Sequence, residues 1–229
     1  PQTLIELHVG ERDLDDVRES DDDYYNTLWD ISSTEVGFKK SFCDAFPRLQ
    51  KLTVEGGYPQ LETLVFPEMR EFKVYTGGLP QSTIKVIANA TWPKIEKLEI
   101  LFGMENYGFS GSVADLVPIF AAKGLPKLTH LGLMNAEITD AICEAVVKSR
   151  ILPQLKTLDL SMGCMTEKGA QILSENKKML QHLETLNVDD NAMEASCEAL
   201  LKGLCKNVIF GSQEIDKADE DWVYTSVGE

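Results

Sequence analysis

The feature that most constrains this chain is a leucine pattern that returns at a nearly fixed interval. Leu128-x-x-Leu131-x-Leu133 recurs as Leu155-x-x-Leu158-x-Leu160 and again as Leu183-x-x-Leu186-x-Val188, so the first positions stand 27 and then 28 residues apart. Five residues after each third apolar position comes another apolar residue: Ile138, Met165 and Met193. The following segments also align, with Ala145, Ile172 and Leu200 in one column and Val146, Leu173 and Leu201 in the next. The leading hexapeptide alternates as a strand does, and the segment after it is long enough for a helix. One strand and one helix cannot bury their shared apolar side alone. Stacked copies bury it continuously, with strands in a parallel sheet and helices outside.

This is the leucine-rich-repeat pattern, and the 27–28-residue period resembles the ribonuclease-inhibitor-like class. The expected fold is an α/β solenoid: a curved parallel sheet on the concave side, helices and turns on the convex side. Weaker copies begin at Leu4, Leu49, Leu61, Met69 and Ile95. Several strand entrances carry a proline two residues earlier, as at Pro47, Pro59, Pro93, Pro126 and Pro153, where no ladder donor is needed. The steps from Leu49 to Leu61 and from Leu61 to Met69 are too short for a helix and predict bare turns outside. The long step from Ile95 to Leu128 carries an insertion. Eight strands follow, with a ninth at Val208–Phe210. Helices are expected at about 38–46, 80–90, 112–123, 139–149, 166–180 and 194–205. We read a single domain over 1–229: irregular repeats over 1–125, regular ones over 126–211, and an acidic tail over 212–229.

The net charge of −15 repels phosphate backbones and anionic headgroups, so neither nucleic acid nor a membrane is an expected partner, whereas a protein with a basic surface is compatible. No apolar run approaches the length of a bilayer span. The chain opens on Pro1 without an initiator Met or a signal peptide, and reads as a piece of a longer protein with room for further repeats ahead of it. Five cysteines, an odd number without a Cys-x-x-Cys pair, argue against disulfides or a zinc knuckle and for a reducing cytoplasm.

The segment Leu183-Glu-Thr-Leu-Asn-Val-Asp-Asp-Asn191, the acidic tail and the ending Val223-Tyr-Thr-Ser-Val-Gly-Glu229 resemble a family of uncharacterised bacterial leucine-rich-repeat proteins that end in a tyrosine and a Val-Gly-Glu. Thr76-Gly-Gly-Leu79 and the loop from Gly103 to Gly111 are similar too. The likeness covers most of the chain from about residue 44. It implies the fold and brings no catalytic residue with it.

Alternation along each strand sends the residues flanking its middle apolar position to the concave face. The candidate partner-binding residues there are Lys51, Glu71, Lys73, Tyr75, Lys97, Glu99, His130, Asp159 and Asn187. The same side chains also fit an ordinary solvated face with cross-strand pairs such as Lys73 near Glu99. Tyr107 and Phe109, in the glycine-rich loop, offer either a binding rim or packing onto a neighbouring repeat. The acidic run at 11–23 fits a solvated insertion better than calcium, because its spacing departs from the EF-hand loop. The three histidines form no metal motif, the cysteines read as packing, and no metal or cofactor is expected. Thr166 and Glu194 mark helix starts. The tail is expected to shield the apolar end of the last repeat, or else to act as a docking peptide.

No P-loop, nucleophile elbow or dinucleotide fingerprint occurs, so an enzyme is not expected. The function read from the sequence is a protein-interaction module. The alternatives are a structural or regulatory subunit of a larger assembly, and an enzyme whose site would gather His130, Asp159 and Asp189 in a deep pocket.

Overall fold

The computed structural model describes residues 3–10, 36–219 and 222–227. The acidic segment 11–23 lies outside the described residues, as do the last two residues of the Val-Gly-Glu ending. In chain order the strands are β1 (Glu6–Val9), β2 (Gly37–Phe38), β3 (Lys51–Glu55), β4 (Gln60–Leu61), β5 (Glu71–Tyr75), β6 (Lys97–Gly103), β7 (His130–Ala136), β8 (Thr157–Asp159), β9 (Thr185–Asn187), β10 (Asn207–Ile209), β11 (Ala218–Asp219) and β12 (Trp222–Val223). Helices are α1 (Lys40–Ala45), α2 (Gln81–Asn89), α3 (Val117–Phe120), α4 (Thr139–Val146), α5 (Glu167–Glu175), α6 (Lys177–Leu180) and α7 (Cys197–Leu201).

Eight strands form one parallel sheet in the order β1-β3-β5-β6-β7-β8-β9-β10, so neighbours in space follow neighbours in sequence. The leucine columns lie in register. Leu131 faces Leu158, which faces Leu186, and the same row runs from Leu7 through Leu52, Phe72 and Leu98 to Val208 at the far edge. These side chains point to the helices. Ile142, Val146, Leu173, Cys197 and Leu201 join Leu131, Leu158 and Leu186 in one continuous core. Full burial of a leucine contributes about 2–3 kcal/mol, so the row supplies much of the cohesion between strands. The helix layer is bonded from copy to copy. Thr166 caps α5 by accepting from the Lys168 amide at 3.2 Å, and its own hydroxyl donates to Asp140 of the preceding helix at 2.7 Å. Gly169 lets the helices approach closely: a Cβ there would stand 2.4 Å from Asp140 Oδ1.

One predicted strand does not enter the sheet. Residues 61–66 belong to the crossover from β3 to β5, where Leu61, Leu64 and Phe66 are buried and β4 pairs with β2 in a separate two-stranded sheet. Parallel neighbours need a crossover of about a dozen residues, and the step from Leu61 to Met69 cannot supply one. The expected ninth strand is β10 and restores the eight. The helix expected at 112–123 is a 3-10 turn (Val113–Leu116) running into α3, and the one expected at 166–180 is broken between α5 and α6 at Asn176.

The insertion after β6 folds inward. Phe109 is 3% exposed and meets Phe102 edge-on at 6.1 Å. The loop is wedged against the preceding turn, where a Cβ on Gly103 (φ 71°) would fall 1.6 Å from Gly77 O. Of the tail, residues 212–214 run beside residues 189–191, and residues 224–227 turn back across the ends of β7–β9, where Val227 bonds Asn135.

Candidate functional site

On the sheet face opposite the helices, the same register that stacks the leucines builds two polar rows. One runs Glu6, Lys51, Glu71, Lys97, His130, Thr157, Thr185, Asn207. The other runs His8, Thr53, Lys73, Glu99, Gly132, Asp159, Asn187, Ile209. The candidate residues Lys51, Glu71, Lys73, Lys97, Glu99, His130, Asp159 and Asn187 therefore share one face. Tyr75 follows one position on, opposite Glu55. Thr63 and Val65, which flank Leu64 and which the alternation from Leu61 would send to this face, are not on it, because residues 61–66 run on the crossover.

Glu99 is the centre of the charged half. His130 Nε2 and Lys97 Nζ each lie 3.1 Å from its Oε1, and Lys73 Nζ lies 3.8 Å from Oε2. Three adjacent strands thus supply the partners of a residue that is only 8% exposed. Burial pushes the Glu99 carboxyl up, but the bonds from His130 and Lys97 and the two lysine charges outweigh it and hold the group at about 2. The room for this cluster comes from Gly132. A Cβ there would stand 3.0 Å from Glu99 Cγ and 3.2 Å from Met134 Sδ, so the absent side chain is what lets Glu99 lie flat across the next strand.

Outside that centre, Lys51 pairs with Glu71 at 3.1 Å across half-exposed side chains, and Lys73 Nζ sits 5.1 Å from the Tyr75 ring centre, within cation–π range. A hollow of about 190 Å³ opens between Lys51, Glu71, Lys73 and Glu99. Toward β9 the rows carry threonine, aspartate and asparagine. Asp159 accepts from the Ser161 amide (3.0 Å) and hydroxyl (2.6 Å), while Asn187 Nδ2 donates to its other oxygen at 3.1 Å. A larger groove, about 480 Å³, lies among Leu64, Val65, Val86 and Ala90, away from these rows.

Of the loop residues, Phe109 is removed from the candidate surface, since its ring is packed in the core and reaches no partner. Tyr107 is partly exposed. His130, Asp159 and Asp189 do not converge: His130 bonds Glu99, Asp159 bonds Ser161 and Asn187, and Asp189 accepts from the Ser212 amide at 2.8 Å. Burial holds the Cys164 thiol up at about 12. Among the described residues no His, Cys, Asp and Glu cluster able to hold a metal ion occurs, and no helix is long and apolar enough to cross a membrane. Sequence reasoning missed Glu99 as the hub and Gly132 as its enabling partner. The signal was available: a glycine where every neighbouring strand carries a polar side chain.

No family model matches the chain, and no curated protein matches it. Among solved structures it is similar to the crystal structure of a Bacteroides fragilis protein determined by the Northeast Structural Genomics Consortium. That likeness has 28% identity and a TM-score of 0.75, and covers 87% of this chain. The protein is an α/β protein built on an eight-stranded parallel sheet. The chain spans little more than half the length of that relative, 56%.

Proposed function

We propose that the protein is a leucine-rich-repeat solenoid, of the uncharacterised bacterial family that its sequence resembles, whose polar sheet face holds a protein partner. Solenoids present an extended surface assembled one strand per repeat, and this is where they commonly bind. The observation that carries the reading is the pair of polar rows in register across eight strands, alternating in charge from Glu6 to Lys97 and ending in neutral side chains. The ion pairs are already satisfied within the face, so they set register and exclude mismatched partners more than they add affinity. Tyr75, beside Lys73, is the aromatic anchor.

A net charge of −15 favours a partner with a basic surface, in the cytoplasm, over nucleic acid or lipid. Catalysis forms no part of this reading. The test is affinity capture with the wild-type chain, Tyr75→Ala and Lys97→Glu, each checked for folding by circular dichroism. Loss of an anchor weakens binding by about 2 kcal/mol, roughly thirtyfold in Kd. Undiminished capture by both folded variants refutes the assignment of this face.

A further inference from the structure

Asn135, Met162 and Asp190 occupy equivalent places, 27 and 28 residues apart, where the chain leaves β7, β8 and β9. All three hold left-handed backbone, with φ of 52°, 67° and 55°. Non-glycine residues rarely adopt this conformation, and a long methionine has no local hydrogen bond to compensate it. Each of the three also bonds the same short segment near the end of the chain. Asn135 grips Val227 on both sides of its peptide, donating from Nδ2 to the carbonyl at 2.8 Å and accepting from the amide at 2.9 Å. The Met162 carbonyl accepts from the Ser226 amide at 3.3 Å. Asp190 accepts from the Ser226 hydroxyl at 2.5 Å and forms an ion pair with Lys217, whose Nζ also bonds Ser226 Oγ at 2.6 Å.

Lys217 is 3% exposed, Asn135 and Thr225 are fully buried, and Asn135 reads a main-chain amide in the manner of a side-chain clamp. Beneath the segment lies Cys164, whose thiol faces the Tyr224 carbonyl at 3.4 Å and the Lys217 carbonyl at 3.6 Å. Among the described residues, Lys217, Ser226 and Val227 bond the ends of three strands, and the segment contributes no strand to the main sheet, so it can open while the sheet stays folded.

We propose that the rim formed by Asn135, Met162 and Asp190 is a peptide-binding site, occupied in this chain by its own Lys217 and residues 224–227, and that these dock and undock together while the sheet stays folded. The ligand chemistry is specific: a peptide turned back on itself as β11 and β12 are, with a lysine nine residues before a serine, the lysine for Asp190 and the residue after the serine for the Asn135 clamp. The site stands apart from the polar rows and does not depend on their role.

Cys164 reports the state of the rim. In the full-length protein, native-state alkylation mapped by mass spectrometry is expected to be at least tenfold faster at Cys164 in Ser226→Ala than in the wild type, with Cys143 and Cys197 protected in both. Lys217→Met is the second variant and is expected to act in the same direction. Adding a synthetic peptide of residues 212–229 to the folded variant restores slow alkylation in a saturable manner. The proposal is overturned if the three cysteines always react together, because the segment then leaves only on global unfolding. It is also overturned if the peptide gives Cys164 no protection.

Discussion

Replacing Glu99 by glutamine keeps the shape and hydrogen-bonding reach of the side chain but removes the charge around which Lys73, Lys97 and His130 converge. The carboxyl titrates at about 2 in the folded chain against an ordinary 4.5. A difference of that size is worth at most ~3 kcal/mol at neutral pH. Water reaches the rim of the cluster through the half-exposed lysines, and screening reduces the figure to about 2 kcal/mol. Because the folded value is depressed, the stabilisation is complete above the unfolded value of 4.5 and is lost as pH falls through 4.5 toward 2. In a chain of this size the variant should melt about 4–8 °C below wild type at neutral pH. The gap in unfolding free energy, followed by urea titration, should shrink by roughly 40% at about pH 3.5. Equal melting at neutral pH, or a gap that does not change with pH, refutes the reasoning that the cluster is held by the Glu99 charge.

Two further outcomes test the packing. Leu158→Ala removes a fully buried side chain from the middle of the leucine row and should lower the unfolding free energy by about 2–5 kcal/mol in a urea titration, with no collapse into a new fold by far-UV circular dichroism. Phe109→Ala should cost about 3–5 kcal/mol by the same assay while leaving partner capture unchanged, because the ring fills the core against Phe102 and offers no surface; reduced capture by the folded variant would restore the loop to the binding surface.

The sheet was legible where the repeat was strict. Leu131, Leu158 and Leu186 sit at equal positions in equal periods, and a period that fits one strand and one helix admits little else. Legibility failed at Leu61, because Leu-x-x-Leu-x-Phe has the apolar spacing of a strand and also of a buried crossover; only the distance to Met69 separates the two. Phe109 was ambiguous for a similar reason: an aromatic in a glycine-rich loop has no periodicity to say which way it faces. The polar face followed from alternation on every strand that enters the main sheet, and failed only with Leu61, which carried Thr63 and Val65 onto the crossover. Its internal bonding did not follow from alternation. That Glu99 rather than Asp159 gathers the cations depends on Gly132 leaving the space, which is a property of the neighbouring strand. The course of the tail depended on contacts 92 residues apart, between Asn135 and Val227, which no local pattern encodes.

Whether the polar rows bind a protein is decided by site-specific photo-crosslinking in the cell. A benzophenone side chain is placed at position 75 on the polar face and, in a separate chain, at the exposed position 178 on α6. A discrete protein adduct is expected from position 75 and none from position 178. An adduct from position 178 with none from position 75 would move the partner to the helices and contradict binding on the polar face.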